Sequence, residues 1–164
     1  MTTNQSTINV SDLDIVRDGG EYEVTLEAYT SNNNQVCMWI NNVNTNDYYN
    51  SSIRVVGNAQ GSSSVLGNYV FATNLIREYT TTTLSDFPSI TKIRLIYTRC
   101  KDNASKGKIS YLVDHSCPVA ENYSQVHLYG IMFSSYDNVN SLTFKLNTSG
   151  DYLPSTRVTV RRVR

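Results

Sequence analysis

Tyr22-Glu23-Val24-Thr25-Leu26-Glu27-Ala28 is the stretch that decides the fold class. Its apolar residues fall on alternate positions and its polar residues fill the gaps. That is the two-residue period of a strand with one face in a core and one in water. Gly19-Gly20, just before it, is a turn signal. The pattern returns in Ile90-Thr91-Lys92-Ile93-Arg94-Leu95-Ile96-Tyr97, where Ile93, Leu95 and Tyr97 share a face. Lys101 to Gly107 reads as the turn of a hairpin leading into Lys108-Ile109-Ser110-Tyr111-Leu112-Val113.

Further strands are expected on both sides of this centre. Asn32-Asn33-Asn34 breaks the chain before Gln35-Val36-Cys37-Met38-Trp39-Ile40, a nearly continuous apolar run suited to burial on both faces. A polar turn from Asn41 to Asp47 follows. Ser52 to Val56 and Val65 to Phe71 come next, punctuated by Gly57, Gly61 and Gly67. Leu75 to Leu84 carries four consecutive threonines and reads as an edge-like stretch, with room for one helical turn at Leu75–Tyr79. Phe87-Pro88 marks a corner, and Gln125–Phe133, Ser141–Leu146 and Thr156–Val163 complete the set. No segment keeps a 3.6-residue period over ten positions. The expected fold is all-β: one antiparallel β-sandwich domain over residues 1–164, jelly-roll-like, of about eight to ten strands.

Composition agrees. Asn, Ser and Thr make up roughly a third of the chain, whereas helical surfaces are usually built from Lys, Glu, Ala and Arg. The chain has 12 tyrosines, a residue that favours strands and tolerates half-burial. With 14 basic and 14 acidic side chains, no global field draws nucleic acid or a membrane surface. No apolar stretch approaches about 20 residues, so no membrane insertion is expected. The first residues lack the basic and apolar regions of a signal peptide, which points to synthesis in a cytoplasm. Arg157, Arg161, Arg162 and Arg164 form the one basic cluster. It reads either as a solvated strand end or as an assembly contact for an acidic partner.

Chemistry-bearing motifs are sparse. Cys37, Cys100 and Cys117 are odd in number with no close pair, unlike a disulfide framework or a CxxC zinc site. Cys37 reads as a small buried hydrophobe. His127 reads as structural, and His115-Ser116-Cys117 offers two metal ligands with no second pair to complete a site. Neither a hydrolase elbow nor a phosphate-cradling loop is present. No catalytic residue, metal or cofactor is expected, and the chain reads as non-enzymatic. The residues suited to a ligand are aromatic. Trp39, Asp47, Tyr48 and Tyr49 flank an amide-rich turn. Aromatic faces stack on sugars while amides and carboxylates bond the hydroxyls. Core packing is the competing reading for Trp39. Strand alternation turns one of Tyr48 and Tyr49 inward and the other outward.

The segment Trp39-Ile40-Asn41-Asn42-Val43-Asn44-Thr45-Asn46-Asp47-Tyr48-Tyr49, preceded by the Gly-Gly-x-Tyr-x-Val-x-Leu opening, resembles tail and virion structural proteins of tailed bacteriophages. Ile8-Asn9-Val10-Ser11-Asp12-Leu13-Asp14 is similar to their first segment, and Ser155-Thr156-Arg157-Val158-Thr159-Val160 to their closing strand. Here Tyr152-Leu153-Pro154 replaces the glycine-rich lead into that strand. The resemblance implies a β-sandwich of the virion: a capsid decoration, a tail component or a fibre tip. Its partners would be other virion proteins and copies of itself, a trimer being one closed form. A fibre tip would add host attachment through a cell-surface glycan. The alternative, from a different class, is a carbohydrate-binding, lectin-like module acting as a monomer.

Overall fold

A computed structural model of the chain describes residues 3–31, 36–56, 59–67, 88–103, 105–117, 124–146 and 150–163; for 54–56, 59–67, 117 and 124–126 it describes the backbone path only. The threonine-rich stretch from Leu75 to Leu84, the turn at Asn32–Asn34 and Arg164 lie outside the described residues. Among the described residues there are ten strands: β1 (Thr7–Val10), β2 (Glu21–Ala28), β3 (Val36–Ile40), β4 (Tyr48–Val56), β5 (Ala59–Gly67), β6 (Ser89–Arg99), β7 (Gly107–Cys117), β8 (Ser124–Met132), β9 (Leu142–Leu146) and β10 (Arg157–Arg162). No helix occurs among the described residues. The chain is an all-β, antiparallel sandwich.

A three-stranded sheet, ordered β1-β9-β3, packs on a seven-stranded sheet, ordered β10-β2-β6-β7-β8-β4-β5. The distant pairings β2–β10, β3–β9 and β4–β8 are nested, as in a long hairpin folded over on itself. This nesting underlies jelly rolls; here the β6–β7 hairpin joins the larger sheet. The alternation of β2 decides its placement. Tyr22, Val24, Leu26 and Ala28 are buried, and the residues between them are only partly covered. Across the core, Val36, Met38 and Ile40 of β3 and Leu142, Phe144 and Leu146 of β9 meet this face. Each such side chain contributes about 1.5–3 kcal/mol when fully buried.

At β5 the structure starts a strand earlier than the alternation suggests. The expected Val65–Phe71 strand is described only to Gly67, its remainder lying outside the described residues, while the ladder with β4 runs from Ala59 to Gly67 and passes through Gly61. Long pairing with β4 overrides the weak strand preference of Gly and Ser. β1 is also too short and polar to declare itself. It exists because β9 offers it an edge, with Ile8 opposite Phe144.

Core tyrosines tie the layers to their loops. Tyr22 donates from its hydroxyl to Asp18 Oδ2 at 2.5 Å and accepts from the Asp14 amide at 2.9 Å. Tyr97 reaches the carbonyls of Tyr136 and Asp137, and Tyr111 those of Tyr49 and the Asn50 side chain. Buried phenols usually find a hydrogen-bond partner, and each of these hydroxyls also positions a loop.

Candidate interaction surface

Tyr48 opens β4 with no exposed surface, its hydroxyl donating to the Val43 carbonyl at 2.9 Å and accepting from the Ile40 amide at 3.0 Å. Burial pushes its phenol well above the usual range. Asp47 is 5% exposed and accepts from the Ser134 amide at 2.7 Å and from the Tyr136 hydroxyl. Both residues clasp the turn instead of facing a ligand. Tyr48 gives the backbone around the turn internal partners, and the Asp47 carboxylate ties its end to Ser134 and Tyr136.

Trp39 and Tyr49 are not brought together. Trp39 is half-buried on the outer side of the three-stranded sheet, with Lys145 Nζ 5.9 Å from its ring centroid. Tyr49 points outward from the seven-stranded sheet, since its neighbour Tyr48 points inward. The two rings lie on opposite faces of the sandwich. Among the basic residues, Arg157 pairs with Glu27 at 2.9 Å, Arg161 with Glu23, and Arg162 with the mostly covered Asp18 at 3.0 Å. The acidic partners of these three arginines belong to the chain itself.

Sequence reasoning missed the outer face of the seven-stranded sheet. Register lays its outward residues in rows. One row runs Arg161, Glu23, Arg94, Leu112, Tyr129, Ser51 from β10 to β4. The next runs Thr159, Thr25, Lys92, Asp114, His127, Ile53. On the β10–β2–β6 side, charges alternate in sign between neighbouring strands, and Arg94 adds a bond to Glu21. On the β7–β8–β4 side the face turns apolar. Leu112, Tyr129 and Ile53 are 41%, 54% and 49% exposed, so this is true surface and not core. Tyr49 and Phe133 extend it, with ring centroids 6.1 Å apart in an edge-on contact. Shallow grooves flank Leu112. One, of about 560 Å³, lies among Glu23, Lys92, Arg94, Asp114 and Arg161. The other, of about 370 Å³, lies among Ser51, Ile53, His127 and Tyr129. The signal was present in the sequence as Leu112, Tyr129 and Ile53 at outward positions, but only pairing places them side by side.

The arrangement nearest to catalysis is on the same face. His127 Nδ1 lies 2.5 Å from Asp114 Oδ1, and Ser51 lines the same groove. No hydrogen bond joins Ser51 to the imidazole, and both members of the pair are more than half exposed. The amides of β4 and β8 belong to ladders with their neighbours, so none is aimed at a developing oxyanion. His115, which the sequence offers with Cys117 as a pair of metal ligands, is buried. Its Nδ1 lies 2.7 Å from Thr91 Oγ1 and its Nε2 has no partner. Burial pulls its pKa down to about 4. Cys37 is buried and free, and burial pushes its thiol up to about 12. Among the described residues no group of three His, Cys, Asp or Glu could hold a metal ion, and no helix is long and apolar enough to cross a membrane.

No protein-family model, curated protein or solved structure matches the chain.

Proposed function

We propose that this chain is an assembly protein, a non-enzymatic β-sandwich of a tailed-bacteriophage particle that works through the outer face of its larger sheet. The observation that carries the assembly reading is the apolar block of Leu112, Tyr129, Ile53, Tyr49 and Phe133, exposed and bordered by ion pairs. Isolated apolar residues on a surface need no explanation, but a contiguous block rimmed by polar groups is how interaction sites are built. Tyr, Phe and Leu anchor contacts at low cost in side-chain entropy, and Asn, Ser and Thr around them have little rotamer freedom to lose. The virion assignment rests on the resemblance of the opening, the Asn-rich turn and the closing strand to phage structural proteins. Synthesis in the host cytoplasm and incorporation into the virion complete that reading.

An antibody raised against the chain should decorate intact particles of the phage that encodes it, seen by negative-stain electron microscopy. Absence of the chain from purified particles overturns the virion assignment. The lectin-like alternative keeps one supporting observation, Tyr129 beside the Asp114–His127 pair in a groove. It expects a glycan to bind an isolated monomer there, with binding lost in Tyr129→Ala.

A further inference from the structure

We propose that the outer face of the seven-stranded sheet docks a second copy of this chain, sheet to sheet across a two-fold axis, with Leu112 and Tyr129 at the centre of the contact. The inference rests on the assembly reading above and names the partner of that surface.

Size is the first argument. Seven strands about 4.8 Å apart, each rising about 3.4 Å per residue, make a face roughly 30 Å by 30 Å, or about 900 Å². A standard stable interface takes about 800 Å² from each partner, so this face suffices by itself. Position is the second. β7 is the middle strand of the seven, which places Leu112 at mid-sheet, with Tyr129 directly opposite it on β8. Ion-paired arginines and glutamates lie towards the β10 edge, the exposed Asp114–His127 pair lies beside Leu112 and Tyr129, and Ser51 lies on the other side. Apolar anchors are thus bordered by polar groups.

Charge decides which partner fits. Among the described side chains the outward cations Lys92, Arg94, Lys108, Arg157 and Arg161 number five. The outward carboxylates Glu21, Glu23, Glu27 and Asp114 number four. Their difference is a single positive charge. A strongly charged face would repel its own copy and favour an oppositely charged partner. A nearly balanced face with alternating signs meets a copy of itself with little of that penalty. The edge strand β10 is a poorer route to self-association. A copy paired antiparallel about Thr159 would set Arg157 opposite Arg161, and charged side chains on an edge discourage such pairing. Stacking of two sheets, as already occurs inside the sandwich, uses the broad face instead.

The test is light scattering and sedimentation of the full chain over a dilution series, for the wild type, Leu112→Glu, Tyr129→Glu and Lys145→Glu. The wild type should form a particle of twice 18.5 kDa that dissociates on dilution. Each of the first two substitutions should weaken it by about a hundredfold, as expected for central anchors. Lys145→Glu, on the opposite face of the sandwich, should leave it unchanged. Circular dichroism checks the fold, and Tyr129→Ser replaces either glutamate variant that disturbs it. A strict monomer, a closed trimer, or a dimer indifferent to both central substitutions overturns the inference. A monomer that still labels particles, with labelling lost in Leu112→Glu, also overturns it but leaves the assembly reading intact, with another virion protein on this face. A dimer through this face in a chain missing from particles sustains the inference and sinks the virion assignment.

Discussion

His115 shows how far a strand residue can be from the chemistry its name suggests. It sits in the core at 1% exposure, one nitrogen facing Thr91 and the other without a partner. Burial disfavours the charged ring and lowers its pKa from 6.5 to about 4. The folded chain therefore binds fewer protons than the unfolded chain between those values. The stability linked to this group is fully present above pH 6.5 and is lost as pH falls towards about 4, by on the order of 3 kcal/mol. Urea midpoints measured from pH 7.5 to 4 should fall accordingly, and His115→Gln should flatten that slope. An unchanged slope in the variant would assign the acid sensitivity elsewhere. Gly130 carries a second residue-scale prediction. It lies opposite Tyr111, whose ring covers it so closely that an added Cβ would sit 2.1 Å from a ring carbon. The ring is held by its hydroxyl bonds to Tyr49 and Asn50 and cannot swing away freely. Gly130→Ala should cost about 1–3 kcal/mol through overpacking, read from thermal or urea unfolding.

At the scale of elements, the turn after β3 is the clearest case of polar residues chosen for conformation. Asn41 and Asn42 both take left-handed backbone angles, φ 53° and 57°, which Asn tolerates better than most residues. The Asn41 side chain then bridges two segments, donating to the Asn138 carbonyl at 2.7 Å and accepting from the Asn140 amide at 2.7 Å. Asn41→Ala should lose about 2–3 kcal/mol, and Asn41→Gly should recover the backbone part of that loss but not the bridge. Equal losses in the two variants would show that the bridge alone matters. The same element-level view explains why the aromatic residues around this turn are not gathered on one face. Strand alternation sends Tyr48 into the core to hold the turn, and leaves Tyr49 to the far face.

At the scale of the whole molecule, the sheets are knitted from segments distant in the chain. β1 pairs with β9 and β2 with β10, so the ends of the described chain close the structure. Such non-local pairing must pay loop-closure entropy before contacts form, which slows folding. Refolding by stopped flow should occur on a timescale of milliseconds to seconds, and a relaxation in microseconds would contradict this topology. The sequence by itself determined the fold class, because a two-residue alternation such as Tyr22 to Ala28 permits one buried face and no helix. It also determined most strands, from the apolar periods and the glycine and asparagine turns between them. Which strands become neighbours, and therefore which outward side chains form one surface, was decided only in three dimensions. Leu112, Tyr129 and Ile53 stand on three strands and become a patch solely through the β7–β8–β4 register. Alternation is a local property of the backbone, legible one residue at a time. Adjacency across a sheet depends on pairing between distant segments, which no single stretch of sequence encodes.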